Sequence, residues 1–310
     1  MAIQTLRNEM VDGSPGWNRI LRAFSADIKL AHSVFAMPFA VVGLVLSGAG
    51  WPSFRQALFL LVAMVSARSF AMGMNRYLDA DIDSLNERTA LRAIPAGRIH
   101  RRQSLAISLA AAAVFLAAAF GLSMMCGFLG VPLLVILAFY SQMKRIGWMT
   151  HFYLGLCLAL APVAVSIALM GSVPVATLLV AAAVTFWTAG FDILYSLQDR
   201  TFDQAHGLAS IPARFGARNS LWISRFCFSV MMILLAAAGQ TSGAGIFWYA
   251  ALVAVSALLF WEHWILRDTA EQVDGRLIDK AFFTANAWIS VVFCAGVLVD
   301  RLASTWGKIP

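Results

Sequence analysis

Two acidic patterns with the same spacing punctuate a chain that is otherwise strongly apolar. Asn75, Asp79 and Asp83 recur at four-residue intervals, and Tyr195, Asp199 and Asp203 repeat the interval further on. Residues four apart share one face of a helix, so each set presents two carboxylates along a single stripe. Each set closes a long hydrophobic run. Ionisable groups against a membrane are costly and mark functional sites. Mg²⁺ takes few protein carboxylates and completes its shell with water and phosphate oxygens. Two facing stripes of this kind suit Mg²⁺ held together with phosphates.

Cations near the stripes fit that chemistry. Arg88 and Arg92 follow the first pattern, and Lys144 and Arg145 sit together on another turn. Arginine and lysine hold the phosphate charge that metal leaves over, although any such cation also serves membrane topology. A diphosphate cradle beside an apolar interior matches an isoprenyl diphosphate, a charged head on a hydrophobic tail. Arg68 lies two helical turns before Asn75 and should share its face. It is expected to face the cavity, where it would hold the carboxylate of a second substrate or pair with the motif aspartates. Lys29 and His32 open the first span and could add polar contacts. Asp192, one turn before Tyr195, extends the second stripe inward, to orient a substrate, accept a proton or pair with an arginine. His151 and His206 read as loop or interfacial residues, and Glu262 and His263 as residues facing the interface at a helix end.

These residues must be positioned by membrane helices. Of 310 residues, 60% are hydrophobic and 13% charged, with a mean hydropathy of +0.76. Soluble domains average about 25% charged, so this is an integral membrane protein. Spans of about 20 apolar residues fit nine times: 31–49, 55–74, 104–122, 126–141, 152–170, 174–196, 220–239, 245–266 and 281–300. The expected fold is therefore an all-α bundle of about nine transmembrane helices, one domain over residues 1–310 with 1–25 as a cytoplasmic N-terminal segment. Very short connections at Gly171–Pro174 and Gly239–Gly245 imply antiparallel neighbours. Lys and Arg divide twenty to three between the two sides. The positive-inside rule then places the N-terminus and both acidic patterns in the cytoplasm, and the C-terminus outside. Four spans separate the patterns, so the halves run in parallel as an internal repeat. The net charge of +7 is explained by topology and implies no nucleic-acid partner. Cys126, Cys157, Cys227 and Cys294 lie far apart in apolar runs, where packing is their expected role.

Taken together, the motifs resemble a known family. Asn75-xxx-Asp79-xxx-Asp83 followed by Arg88, Thr89, Arg92, Pro95 and Gly97 is similar to the first motif of the UbiA superfamily of intramembrane aromatic prenyltransferases. Tyr195-xxx-Asp199-xxx-Asp203 looks like its second. Tyr140 with Lys144-Arg145, then Leu154-Gly155, resembles the family's stretch after the fourth helix. The run Lys29 to Ala40 looks like the 4-hydroxybenzoate polyprenyltransferase-like branch, which includes menaquinone enzymes acting on 1,4-dihydroxy-6-naphthoate. Arg76 departs from the pattern by replacing an acidic residue, and Asp81 adds a carboxylate within it.

The resemblance implies two Mg²⁺ ions bridging a polyprenyl diphosphate to Asn75, Asp79 and Asp83 on one side and Asp199 and Asp203 on the other. It implies diphosphate contacts from Arg88, Arg92, Lys144, Arg145 and Tyr195. The aromatic acceptor would be met by Arg68 and His32, with Asp192 a candidate base. The site would lie on the cytoplasmic side of a bacterial-type inner membrane, with the tail in a channel open to the bilayer. The acceptor would be a hydroxybenzoate or a naphthoate in ubiquinone or menaquinone synthesis, with haem, chlorophyllide or a glycerol lipid as alternatives. A transporter would place its carboxylates nearer the midplane. A CDP-alcohol phosphatidyltransferase would need a D-G-xx-A-R run that is absent.

Overall fold

The structure is a computed structural model describing residues 16–28, 37–265, 278 and 284–306. In chain order the helices are α1 (Trp17–Asp27), α2 (Met37–Ser47), α3 (Phe54–Leu85), α4 (Arg101–Leu122), α5 (Met124–Phe139), α6 (Thr150–Met170), α7 (Val175–Tyr195), α8 (Arg200–Ala205), α9 (Ile211–Ser242), α10 (Ile246–Ile265) and α11 (Asn286–Trp306). Among the described residues there is no strand. Eight helical segments are long and apolar enough to cross a membrane, and α2 is a shorter apolar helix at the first expected span. The all-α bundle of about nine spans agrees with the pattern of hydropathy.

Local chemistry sets the helix ends. Ser53 and Gln56 form a reciprocal capping box at the start of α3, satisfying backbone donors that have no partner in the helix. Ser210 caps α9 by accepting from the Ala213 N–H, with Pro212 in the first turn. Gly171 and Gly243 end α6 and α9 with positive φ of 69° and 66°, the left-handed closure that glycine adopts without strain. Both expected short connections are thus tight turns between antiparallel helices.

The core gathers around α7, whose apolar window is 67% buried, the highest of any span. Trp187 at its centre packs on Phe39 (5.0 Å) and Phe191 (4.9 Å), while Trp248 meets Phe293 at 5.1 Å. Small residues let the backbones close in, as membrane helix interfaces require. A Cβ on Gly155 would lie 2.3 Å from the Thr185 carbonyl, and one on Gly43 would lie 2.6 Å from the Pro162 backbone. Large apolar side chains such as Phe54, Phe128, Val135, Ile233 and Phe260 point outward, as lipid-facing residues do.

Two boundaries differ from the hydropathy reading. α3 runs on past the apolar run to Leu85, so the first motif forms the last turns of the helix rather than following it. α9 begins at Ile211 with a bend at Gly216 (φ 79°) before the apolar run. Hydropathy stops at the first charges, whereas backbone hydrogen bonds carry a helix through them. The expected N-terminal segment also holds α1. Its Ile20, Phe24 and Ile28 sit one turn apart and pack with Ala93 and Ile99.

Candidate active site

α3, the connection after it, the turn after α5, and the end of α7 with α8 enclose one cleft of about 130 Å³. Both acidic sets line it, together with Arg88, Arg92, Lys144, Arg145, Tyr195 and Asp192. All the expected metal ligands and diphosphate contacts therefore share one cavity. The second stripe is not a plain helix face. After Tyr195 the chain tightens into a 3₁₀ turn over Ser196–Asp199 and then opens into α8, yet Asp199 and Asp203 both still face the cleft.

Three of the four motif aspartates are matched by an arginine. Asp79 lies 3.4 Å from Arg145, which also donates to the Leu78 carbonyl. Arg92 Nη1 donates to both oxygens of Asp83 at 2.7 Å. Arg88 crosses the cleft to Asp199 through Nε (2.9 Å) and Nη2, and donates to the Tyr195 hydroxyl at 3.1 Å. Burial works against the Arg88 charge, but the hydrogen bond and charge of Asp199 outweigh it, so its pKa lies above the ordinary arginine value. This clamp stays ionised at any working pH. Asp203 is buried, and its Oδ2 has no hydrogen-bond partner.

A polar frame orients these groups. Asn75 donates to Asp79 (2.7 Å) and to the Ser141 hydroxyl (3.2 Å), and accepts from Arg76 (2.7 Å). Arg76, the departure from the family pattern, faces away from the cleft. Its Nε lies 3.2 Å from Asp27 at the end of α1, an ion pair without hydrogen-bond alignment. Asp27 also accepts from the Ala93 N–H at 3.0 Å. Asp81 is solvent-exposed and pairs with Arg101, so the extra carboxylate lies outside the site.

Several expectations change. Arg68 does not line the cleft. Two turns along α3 correspond to about 10 Å from Asn75, and the buried Arg68 Nε has no hydrogen-bond partner. No described carboxylate pairs with it, so the expected salt bridge to the motif is absent among the described residues. His32 and Lys29 lie outside the described residues. Asp192 pairs with a histidine rather than an arginine. His151, expected in a loop or at the interface, is fully buried, with Nδ1 2.7 Å from Asp192 Oδ2. The Ile211 N–H donates to His151 Nε2 at 3.2 Å. A backbone N–H only donates, so Nε2 accepts and the proton sits on Nδ1, facing the carboxylate. Glu262 does not face outward either. It is buried and accepts from Asn286, whose Oδ1 accepts from Trp187 Nε1. His206 is exposed and stacks on Phe202, as a loop residue would. Asn86, which donates to Asp199 at 3.1 Å, belongs to the cleft and was not singled out. Its position eleven residues after Asn75 fits neither four-residue stripe.

Among the described residues, no three acidic, histidine or cysteine side chains converge tightly enough to hold an ion by themselves. Mg²⁺ would complete its shell here with water and phosphate oxygens. The all-oxygen donor set and the partnerless Asp203 oxygen fit such an ion.

The profile of the UbiA prenyltransferase family matches residues 36–295. The chain belongs to the UbiA prenyltransferase family. The 4-hydroxybenzoate octaprenyltransferase of Tolumonas auensis is 28% identical over 255 residues, covering 82% of this chain and 87% of the relative. A UbiA homolog from Aeropyrum pernix K1, solved in its apo form, has a TM-score of 0.78 at 29% identity, covering 87% of this chain and 98% of that one. A UbiA homolog from Archaeoglobus fulgidus, solved with DMAPP and Mg²⁺, has a TM-score of 0.65 at 21% identity over 91% and 99% of the two chains, a likeness of fold. This UbiA-family protein is a multi-pass membrane prenyltransferase.

Proposed function

We propose that the cleft binds a polyprenyl diphosphate with two Mg²⁺ ions. The prenyl group is transferred to a ring carbon of a hydroxylated aromatic carboxylate, 4-hydroxybenzoate or 1,4-dihydroxy-6-naphthoate, and diphosphate is released. The product would serve ubiquinone or menaquinone biosynthesis. The observation that carries this reading is the convergence of both acidic sets on one cleft, with a cation beside each of Asp79, Asp83 and Asp199. The relatives named for 4-hydroxybenzoate transfer and the fold shared with a DMAPP- and Mg²⁺-bound homolog add support.

Charge balance favours two ions. Five carboxylates and four cations line the cleft, leaving one net negative charge. A diphosphate ester brings about three negative charges, which two divalent ions offset to near neutrality. Asn75, Asp79, Asp83, Asp199 and Asp203 would hold the ions, which supply charge neutralisation at the phosphate oxygens.

This chain's own residues do the rest. Arg88, Arg92, Lys144 and Arg145 turn from the carboxylates toward the diphosphate. They stabilise the charge that grows as the allylic C–O bond breaks and its electron pair leaves with oxygen. The helical walls keep water from the allylic cation. A ring carbon ortho to the phenolic oxygen attacks, forming the C–C bond, and the proton on that carbon is then lost. Asp192, which accepts from the His151 Nδ1–H at 2.7 Å, is the base placed to take it. Arg68 would hold the acceptor carboxylate deeper in the bundle, where its buried Nε lacks a partner. The division of twenty cations to three supports the cytoplasmic side for this chemistry, in a bacterial-type inner membrane.

Diphosphate release from geranyl diphosphate in detergent, with 4-hydroxybenzoate or 1,4-dihydroxy-6-naphthoate supplied as acceptor, tests the proposal. Mg²⁺ should support release and EDTA abolish it, and Asp79→Ala and Asp199→Ala should lower it at least about 100-fold in folded protein. Normal release by either variant would overturn the metal-bridge assignment.

A further inference from the structure

A second cavity, of about 470 Å³, lies between α9 and α10, away from the carboxylate cleft. Its lining is mostly apolar, including Phe228, Met232 and Phe260, but one end carries Arg225, His263 and Trp264. Phe260 and Trp264 are 74% and 55% exposed, so the groove opens toward lipid.

The level of that polar end is fixed by the hairpin. Arg225 precedes Gly243 by as many residues as His263 follows Gly245. At 1.5 Å per residue both lie about 27 Å from the turn, nearly the full hydrocarbon thickness of about 30 Å. They therefore stand at head-group depth, at the end of the bundle that holds the carboxylate cleft. Trp222 and Trp264 flank them as interfacial tryptophans do.

The polar groups are prepared for a ligand. The Arg225 guanidinium is stacked on the Trp222 ring at 4.7 Å, and no described carboxylate forms an ion pair with it. His263 Nδ1 lies 3.1 Å from the Leu259 carbonyl, which only accepts, so that nitrogen carries the proton. Its ring is fixed edge-on against Phe228 at 5.4 Å. The other nitrogen, Nε2, is buried without a hydrogen-bond partner. A buried acceptor of this kind calls for a donor.

We propose that this groove is a binding site for an anionic membrane phospholipid with a hydroxylated head group, of the phosphatidylglycerol type. The lipid phosphate meets Arg225, a head-group hydroxyl donates to His263 Nε2, and one acyl chain follows Phe228, Met232 and Phe260 toward the opposite leaflet. A zwitterionic choline lipid brings no hydroxyl donor and no net charge for Arg225.

The test is native mass spectrometry of the full chain from mild detergent, after incubation with phosphatidylglycerol or phosphatidylcholine. Wild type should retain one phosphatidylglycerol under conditions that strip phosphatidylcholine. Arg225→Gln should lower that retention about fivefold and His263→Phe by a smaller factor. Arg225→Lys, which keeps the charge, should retain the lipid. Arg55→Gln, a control at the opposite end where Arg55 sits over Phe59 at 5.5 Å, should match wild type. Equal retention of both lipids, unchanged retention in folded Arg225→Gln, or displacement of the bound lipid by geranyl diphosphate but not by added phosphatidylglycerol would overturn the proposal.

Discussion

Replacing Arg88 by Gln removes the ion pair that, beside the Asn86 hydrogen bond to Asp199, ties the connection after α3 to the second acidic set across the cleft. Arg88 and Asp199 are 111 residues apart in sequence, and two nitrogens of the guanidinium bond the carboxylate. The Asp199 side chain is only 7% exposed, that of Arg88 31%. Removing one partner of a fully buried pair costs about 3–5 kcal/mol because the other charge is stranded. Water reaches part of Arg88, so about 2–3 kcal/mol is the reasonable share here. For a chain of this size, at about 2–4 °C per kcal/mol, the melting temperature should fall by roughly 4–12 °C. The assay is thermal unfolding in detergent with EDTA, followed by tryptophan fluorescence, on R88Q, D199N and the double variant. Neutralising Asp199 removes the stranded charge, so the double variant should melt above R88Q, a coupling that a double-mutant cycle isolates. R88Q melting with wild type, or the two losses simply adding, would refute a clamp across the cleft.

Other perturbations separate neighbouring roles. His151→Asn keeps a donor near the Nδ1 position, whereas His151→Gln keeps an acceptor near Nε2 and His151→Phe keeps neither. Losing the bond to Asp192, a charge-assisted contact worth about 1.5–3 kcal/mol, should cut kcat about 10–100-fold in the Gln and Phe variants and little in the Asn variant, with KM for the diphosphate unchanged. Equal kcat in all three would show that His151 only packs. Arg68→Met should raise KM for the aromatic carboxylate about tenfold or more and leave diphosphate KM within a few-fold; the reverse split would move Arg68 to the prenyl side. Gly155→Ala puts a Cβ 2.3 Å from the Thr185 carbonyl. Overpacking against backbone costs about 1–3 kcal/mol, so α6–α7 packing should loosen and melting fall by several degrees, an outcome absent if the helices separate without strain.

Much of this architecture is written in local pattern. Apolar runs of the right length mark the spans, glycine and proline mark the tight turns, and the repeated four-residue spacing brings Asp79, Asp83, Asp199 and Asp203 to one cavity. Hydropathy understates helices that continue through charge, which is why α3 passes Asn75 and reaches Leu85. It is equally blind to partners distant in sequence. His151 looks like an interfacial residue until α7 sets Asp192 beside it, 41 residues on. Arg68 shares a helical period with Asn75, yet the cavity wall is drawn by neighbouring helices and stops short of it. Asp27 and Arg76 meet only because α1 folds back onto α3, a contact between elements that no spacing announces.

The central claim is that one cleft joins a prenyl diphosphate to an aromatic carboxylate with Mg²⁺. It is tested most directly by product analysis. Purified protein with geranyl diphosphate and Mg²⁺ is offered 4-hydroxybenzoate and 1,4-dihydroxy-6-naphthoate in parallel, and products are identified by mass, with EDTA and Asp79→Ala as controls. The account predicts one acceptor gaining a geranyl group at carbon, with the product lost on chelation and in the variant. A protein that binds the diphosphate yet prenylates neither acceptor, or a product that persists in EDTA, would contradict it.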